Sequence, residues 1–557
     1  MTTVSRAQTP IDECANQYVE TLTTISPELV TSLGRGSADE GTFSDLSPAG
    51  LQKDNDVYRD TLARLSALDP VDEIDRVTKA ALTEDLEYQI SQYEHGEIGE
   101  INVIATPLQG CQEIFDMMGD ETLEDWQLIA RRLGNIGPAL SGWQETLIER
   151  REHGPKQARK QVELAISQAE GKASDSSALA SLAARGAKKF PQLAEELETN
   201  SRQAQAAYGS LAEFLRTEIL PSAVESEAFG YERYAPRLYS FTGAHVDLDE
   251  TYEWGIGELE RIIHAQEAIV RDLYGPDVSI PEAMKRLDAD PNRQIHGTEA
   301  LTRWMQETSD QAIRDLNGTH FDIPTELQKL ECLIAPSGTG AIYYTGPSDD
   351  FSRPGRMWWS VPDGTEVFHT WQEKTTVYHE GVPGHHLQLG MATYIRDSLN
   401  DWRRLLCWNS GHGEGWALYA EGLMAELGYH SDPGDYLGVL DGERLRATRV
   451  VLDIGVHLEK PAPAGYEHIN PTWNRDVAWE FLKDNVAMDH SFLSFELNRY
   501  LGWAGQAPAY KIGHRLWKQL RAEAEKKPGF NLKDWHMSAL RVGSVGLDIL
   551  RDTLNRA

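Results

Sequence analysis

The sequence predicts a mainly α fold with a small β insertion. Apolar residues recur at three- and four-residue spacing, with charge on the other faces, through most of the chain outside residues 321–368. Inside that window the pattern breaks into short runs punctuated by Gly and Pro. At 557 residues and 40% hydrophobic composition, the chain is long enough for two or three cores or one large bilobed unit.

Taken in order, residues 11–22 form a short amphipathic stretch, and the Gly/Ser/Asp-rich run 34–50 reads as loop. Helices are predicted over 56–68, 72–94, 121–152, 157–169 and 190–220, with breaks at His153-Gly154-Pro155 and 171–177. They continue over 247–273, 281–288 and 297–317. Ile323-Pro324 and 333–344 read as short strands, followed by a loop-rich run holding Asp349, Asp350, Arg353 and Arg356. A helix starting near Thr370 carries the histidine-rich segment, and further helices follow over 393–407, 416–427, 443–457, 473–484, 490–501, 511–525, 531–542 and 546–555. The expected division is an N-terminal helical region, 1–230, and a region 231–557 that holds the β island at about 321–368, the two forming one integrated unit.

The net charge of −34 argues against a nucleic-acid partner, because phosphate contacts need a basic face. Cys14, Cys111, Cys332 and Cys407 are scattered and contain no C-x-x-C pair, which fits neither a disulfide framework nor a thiolate metal site. Met1 to Pro10 lacks an apolar core, and no run of 18 apolar residues occurs, so the expectation is a cytoplasmic protein without a membrane partner. Oligomeric state is left open.

Three histidines and a glutamate fall within eight positions: His379, Glu380, His385 and His386. A catalytic zinc takes three protein ligands and keeps a fourth position for water, and a neighbouring carboxylate serves as general base. In H-E-x-x-H the two histidines lie one turn apart, but here the position four after His379 is Pro383. On an ideal helix His385 lies roughly 240° around from His379, and His386 returns to within about 20° but roughly 10 Å further along. Pro383 removes a helical N–H and its ring clashes with the preceding turn, so the helix is expected to open or kink over 382–384. That brings His385 or His386 toward His379; the Gly384-His385 pair favours His385, leaving His386 behind it or facing substrate.

The third ligand is expected on the next helix. Glu414 follows His386 by 28 residues, and Glu421 lies seven further on, on the same face. Alone, Glu414 reads as a helix-start carboxylate favoured by the dipole; beside the histidines it reads as a ligand, with Glu421 or His412 orienting the others. Tyr500 and Tyr510, flanking a Gly505-Gln506 break, are candidate donors to an oxyanion. Arg444, Arg449, Asp453 and His457 recur at helical spacing as a polar stripe, either an ion-pair network or a row facing substrate. Tyr343 and Tyr344 lie on a strand whose edge can hold an extended peptide. Arg353, Arg356, Arg444 and Arg499 are candidates for a bidentate grip on a peptide carboxylate.

The segments 379–388, 414–421, 449–457, 499–511 and 341–355 together resemble the bacterial DUF885 family, well over about 230–557 and loosely before it. That family is grouped with helical, deep-cleft zinc peptidases similar to the angiotensin-converting-enzyme, thimet-oligopeptidase and thermostable-carboxypeptidase families. The resemblance implies a large bilobed helical fold with a deep cleft and one Zn2+ per chain. It also implies His379, His385 and Glu414 as ligands, Glu380 as base, and Tyr500 or Tyr510 with His457 at the oxyanion. The metal motif is two residues longer than in those relatives. The function expected is a zinc metallopeptidase acting on short peptides, of carboxypeptidase, dipeptidase or oligopeptidase type. The alternatives are a non-catalytic, metal-bearing peptide-binding protein and a metal-dependent hydrolase of another amide or ester.

Overall fold

A computed structural model describes residues 6–34, 41–335, 342–362 and 364–556. It is mainly α with small sheets, as the apolar periodicity requires. Parts of the predicted loop 34–50 and strand 333–344 lie outside the described residues.

The core divides elsewhere than at residue 230. Helices Leu123–His153, Arg159–Ala173, Ala178–Lys189 and Ala194–Phe214 close around a core of their own, with Trp126, Leu133, Trp143, Leu197 and Leu211 at its centre. The helices before them, Pro10–Ile25, Pro48–Ser66 and Glu73–Glu94, send Ile11, Tyr18, Leu65 and Leu82 into the larger core built by the C-terminal region. Each starts on a side-chain cap: Thr9, Ser47 and Asp72 accept from backbone N–H groups two or three positions into the helix. Sequence periodicity finds such helices but does not say which core they join.

Two small sheets precede the motif helix. β1 (Gln294–His296) pairs antiparallel with β5 (Val367–His369), placing Ile295 opposite Phe368. β2 (Leu330–Ile334) runs parallel to β4 (Gly355–Trp359), and β3 (Tyr343–Thr345) runs antiparallel to β4, with Tyr344 opposite Met357. β4 is therefore central and β3 an edge. Along β4, Gly355, Met357 and Trp359 are buried while Arg356 and Trp358 are half-exposed, the period of two expected of a strand with one face on a core. The predicted strand at Ile323-Pro324 is a loop with Ile323 buried, since Pro324 lacks a ladder N–H.

β5 feeds directly into the motif helix Thr370–Glu380, which packs against Ser410–Glu426 and Pro433–His457. Ser410–Glu426 also lies along Gln506–Ala524. The approach is backbone to backbone: a Cβ on Gly415 would sit 2.5 Å from the carbonyl carbon of Gly513. That contact brings Glu414 and Tyr510 onto one wall. Among the described residues, no helix is long and apolar enough to cross a membrane.

Candidate metal centre

The motif helix ends at Glu380, and after four intervening residues a second helix, His385–Tyr394, begins. The expected kink is thus a complete break. Gly381 and Gly384 return their N–H groups to Val377 and Tyr378 carbonyls at 2.9 and 3.1 Å, which terminates the first helix. Trp416 Nε1 donates to the Pro383 carbonyl at 2.8 Å and pins the turn. A Cβ at position 384 would lie 1.9 Å from the His379 carbonyl oxygen, so only glycine permits this fold-back.

The break turns His385 toward His379: their rings lie 4.8 Å apart and nearly perpendicular, at 86°. Both Nε2 atoms face Glu414 Oε2, at 3.4 Å from His379 and 3.5 Å from His385. One ligand atom from each of His379, His385 and Glu414 falls within 4.8 Å of the others. His379 Nδ1 lies 2.8 Å from Glu421 Oε1, and Thr375 donates to the other Glu421 oxygen. With Glu421 accepting from Nδ1, Nε2 is the His379 atom that would face a metal beside Glu414. Glu380 Oε1 sits 4.0 Å from His379 Nε2, and its Oε2 is buried without a hydrogen-bond partner among the described residues.

The charges are one-sided. Glu380, Glu414 and Glu421 surround two imidazoles, and the ion pairs they make among the described residues are with histidine. Burial opposes a charge on His379, but hydrogen bonds to Glu414 and Glu421 outweigh it and raise its pKa to about 10. Burial also pushes Glu414 up, but His379 and His385 outweigh it and hold the carboxyl below its ordinary range. Glu380 is pushed up by burial, against the pull of His385 and His379. The cluster stabilises added positive charge.

A cavity of about 710 Å³ opens on the cluster, lined by His379, Glu380, His385 and Glu414 and by Tyr343, Tyr344, Arg449 and Tyr510. Tyr510 lies with the Arg449 guanidinium 5.2 Å from its ring centre. Burial and then the charge of Glu414 raise its phenol to about 12, which keeps the hydroxyl protonated as a donor. Tyr343 stacks on Trp358 at 6.2 Å.

Several sequence-predicted residues sit elsewhere. His386 is not in the cluster: Nε2 donates to the Leu327 carbonyl at 2.8 Å, and Nδ1 accepts from the Tyr344 hydroxyl at 3.0 Å. Burial lowers its pKa to about 4, which keeps it neutral. His386 therefore steadies Tyr344. His457 is fully buried between Phe229 and Tyr234, with Nε2 on the Tyr500 carbonyl at 3.1 Å, away from the cavity. Tyr500 does not line the cavity; its hydroxyl receives Arg449 Nε at 2.7 Å and donates to Glu496. Arg499 is held by Glu496 and Gln506, at 3.0 and 2.7 Å. Arg353 braces its own loop through the Gly346 and Pro354 carbonyls. Arg356 pairs with Glu331 and Arg444 with Gln266. His412 touches none of the cluster; Nδ1 lies 3.0 Å from the Val545 carbonyl. Of the polar stripe, Arg449 reaches the cavity, and Asp453 accepts from Tyr234 and the Gly505 N–H in the interior.

Sequence reasoning missed Glu373, Asp441, Arg446 and Trp408 on the cavity wall. Two of them had a signal. Glu373 lies seven residues before Glu380, on its face, and Asp441 lies eight before Arg449.

Over residues 27–554 the chain matches the family described as bacterial protein of unknown function, DUF885. The chain belongs to that family. Two solved structures show its fold. One, a candidate lipoprotein from Colwellia psychrerythraea, superposes with a TM-score of 0.81 at 20% identity, over 98% of each chain. The other, a candidate lipoprotein of unknown function from Shewanella oneidensis, gives 0.76 at 16% identity, over 99% of this chain and 100% of that one. No curated protein matches the chain. The His379, His385 and Glu414 cluster of this DUF885 member is thus read from its own residues.

Proposed function

We propose that the chain is a zinc-dependent metallopeptidase of short peptides, with His379, His385 and Glu414 as ligands and Glu380 as general base. One observation carries the reading: two imidazoles and a carboxylate converge within 4.8 Å beside an unpartnered, buried Glu380 oxygen on a cavity wall. The donor set fits zinc, which accepts imidazole and carboxylate and in catalytic sites takes three protein ligands. Glu421 behind His379 is the carboxylate–histidine arrangement that orients such ligands.

A bound zinc ion would supply Lewis-acid chemistry, acidifying a water and polarising the scissile carbonyl. The chain's residues do the rest. Glu380 takes the proton from the attacking water and, with its pKa raised by burial, returns it to the leaving amine. Tyr510 directs its hydroxyl to the developing oxyanion, steadied from behind by Arg449. The outer edge of β3, unpaired among the described residues, holds an extended peptide by its main chain beside the cavity. A cavity of about 710 Å³ has room for a short peptide and none for a folded protein.

The test is metal analysis together with hydrolysis of a mixed peptide library, for wild type and Glu380→Gln. One equivalent of zinc in both, with turnover reduced at least ~10²-fold in the variant, supports the reading. Absence of zinc, or cleavage unchanged in the variant, rejects it.

A further inference from the structure

We propose that Glu373 makes the cavity selective for substrates bearing a cationic nitrogen, either a free amino terminus or a lysine or arginine side chain. The inference rests on the peptidase reading above. Glu373 and Glu380 are seven residues apart on one helix, so they share a face about 10 Å apart along the axis, and both line the cavity. An extended peptide advances about 3.3 Å per residue, so a group bound at Glu373 lies about three residues from the base.

Glu373 has no counter-charge among the described residues. Among the described residues it makes no hydrogen bond and no ion pair, and burial alone raises its pKa, to about 7. The neighbouring arginine does not serve it. Arg446 donates to the Gly442 carbonyl at 3.1 Å, and its charge acts on Glu421 and Asp441. On the facing helix, Asp441 adds a second carboxylate, with Gln372 as its hydrogen-bond donor at 3.3 Å. The two helices meet tightly here, since a Cβ on Gly438 would sit 2.1 Å from the Trp371 carbonyl oxygen. A separate feature marks the same cavity as built for a polar ligand: Glu380, only 6% exposed, has an oxygen without a partner among the described residues.

A half-buried carboxylate on a cavity wall, without an arginine partner, gains from a cation delivered by the ligand, because the bound ligand displaces water and the pair forms in a lower dielectric. A neutral side chain at that place leaves the charge unpaired, and an acidic one adds repulsion. The preference is therefore for cation over neutral over anion.

The experiment uses zinc-loaded full-length protein and matched short peptides carrying lysine, norleucine or glutamate at one position at a time, each with a free and an acetylated amino terminus. The expected result is a preference in kcat/KM of about tenfold or more for a cationic peptide over its neutral match. It collapses in Glu373→Gln and reverses toward glutamate in Glu373→Lys. Whether the lysine or the free amino terminus carries the preference identifies the source of the nitrogen. Equal rates in wild type, or a preference that survives both variants, overturn the proposal. If no peptide is cleaved, the peptidase reading fails by itself, and the selectivity is then read from calorimetric titration of the same peptides into Glu380→Gln. Tighter binding of cationic peptides that depends on Glu373 supports the inference, and equal affinities overturn it.

Discussion

Glu97 and Glu414 are both carboxylates set among other charges away from bulk water, one where the two cores meet and one on the cavity, and their partners differ in kind. Glu97 receives Arg233 at 2.6 Å and Arg237 at 2.8 Å, with Arg150 at 3.8 Å, and Glu100 shares the same three arginines. Glu414 faces imidazoles at 3.4 and 3.5 Å, with Glu380 and Glu421 close by. The first cluster carries its own counter-charge in groups that stay protonated at all ordinary pH. The second has histidines as its partners and excess carboxylate. A buried ion-pair network with arginine is complete as it stands; the one built mainly on histidine is, on the proposed reading, completed by a metal ion.

The comparison breaks most sharply at Glu97. Glu97→Ala leaves three buried or half-buried guanidiniums around Glu100 alone and should cost about 3–5 kcal/mol, read from urea unfolding. Zinc stoichiometry in the fraction that remains folded should not change.

Tyr510 and Tyr500 extend the contrast to phenols. Tyr510 belongs to the cavity, so Tyr510→Phe should lower kcat ~10²-fold at unchanged Tm. Tyr500 is locked between Arg449 and Glu496, so Tyr500→Phe should cost about 1–3 kcal/mol of stability and spare turnover in the folded fraction. Equal kinetic losses in the two variants would erase the distinction.

The smallest effect is in acid. Burial would raise Glu97, but the Arg233 hydrogen bond and the charges of Arg237 and Arg150 outweigh it and bring its pKa from 4.5 to about 2. The folded state therefore binds fewer protons there than the unfolded chain. Its stabilisation is complete above about 4.5 and is lost as pH falls from there toward 2. Thermal melts across that window should show a decline in wild type that is shallower in Glu97→Gln.

Much of this was legible in the sequence. The helical periodicity, the change of pattern near residue 321, and the grouping of His379, Glu380, Glu414 and Glu421 follow from local chemistry and spacing. The choice between His385 and His386 does not. It depends on a break whose geometry is set by Gly384 folding against the His379 carbonyl and by Trp416 holding Pro383, contacts from another helix. His457, Tyr500 and Arg499 were expected at the cavity, but they meet one another in the interior. Glu373 and Asp441 needed the packing of two helices at Gly438 to become neighbours. The separate core of 101–219 is likewise a tertiary fact: its helices look, one by one, like those around them.

The most direct measurement is calorimetric titration of zinc into metal-free wild type, His385→Ala and His386→Ala. If His379, His385 and Glu414 form the centre, wild type and His386→Ala each bind one equivalent and His385→Ala loses tight binding. Retention of tight zinc binding by His385→Ala, or its loss in His386→Ala alone, would contradict the assignment.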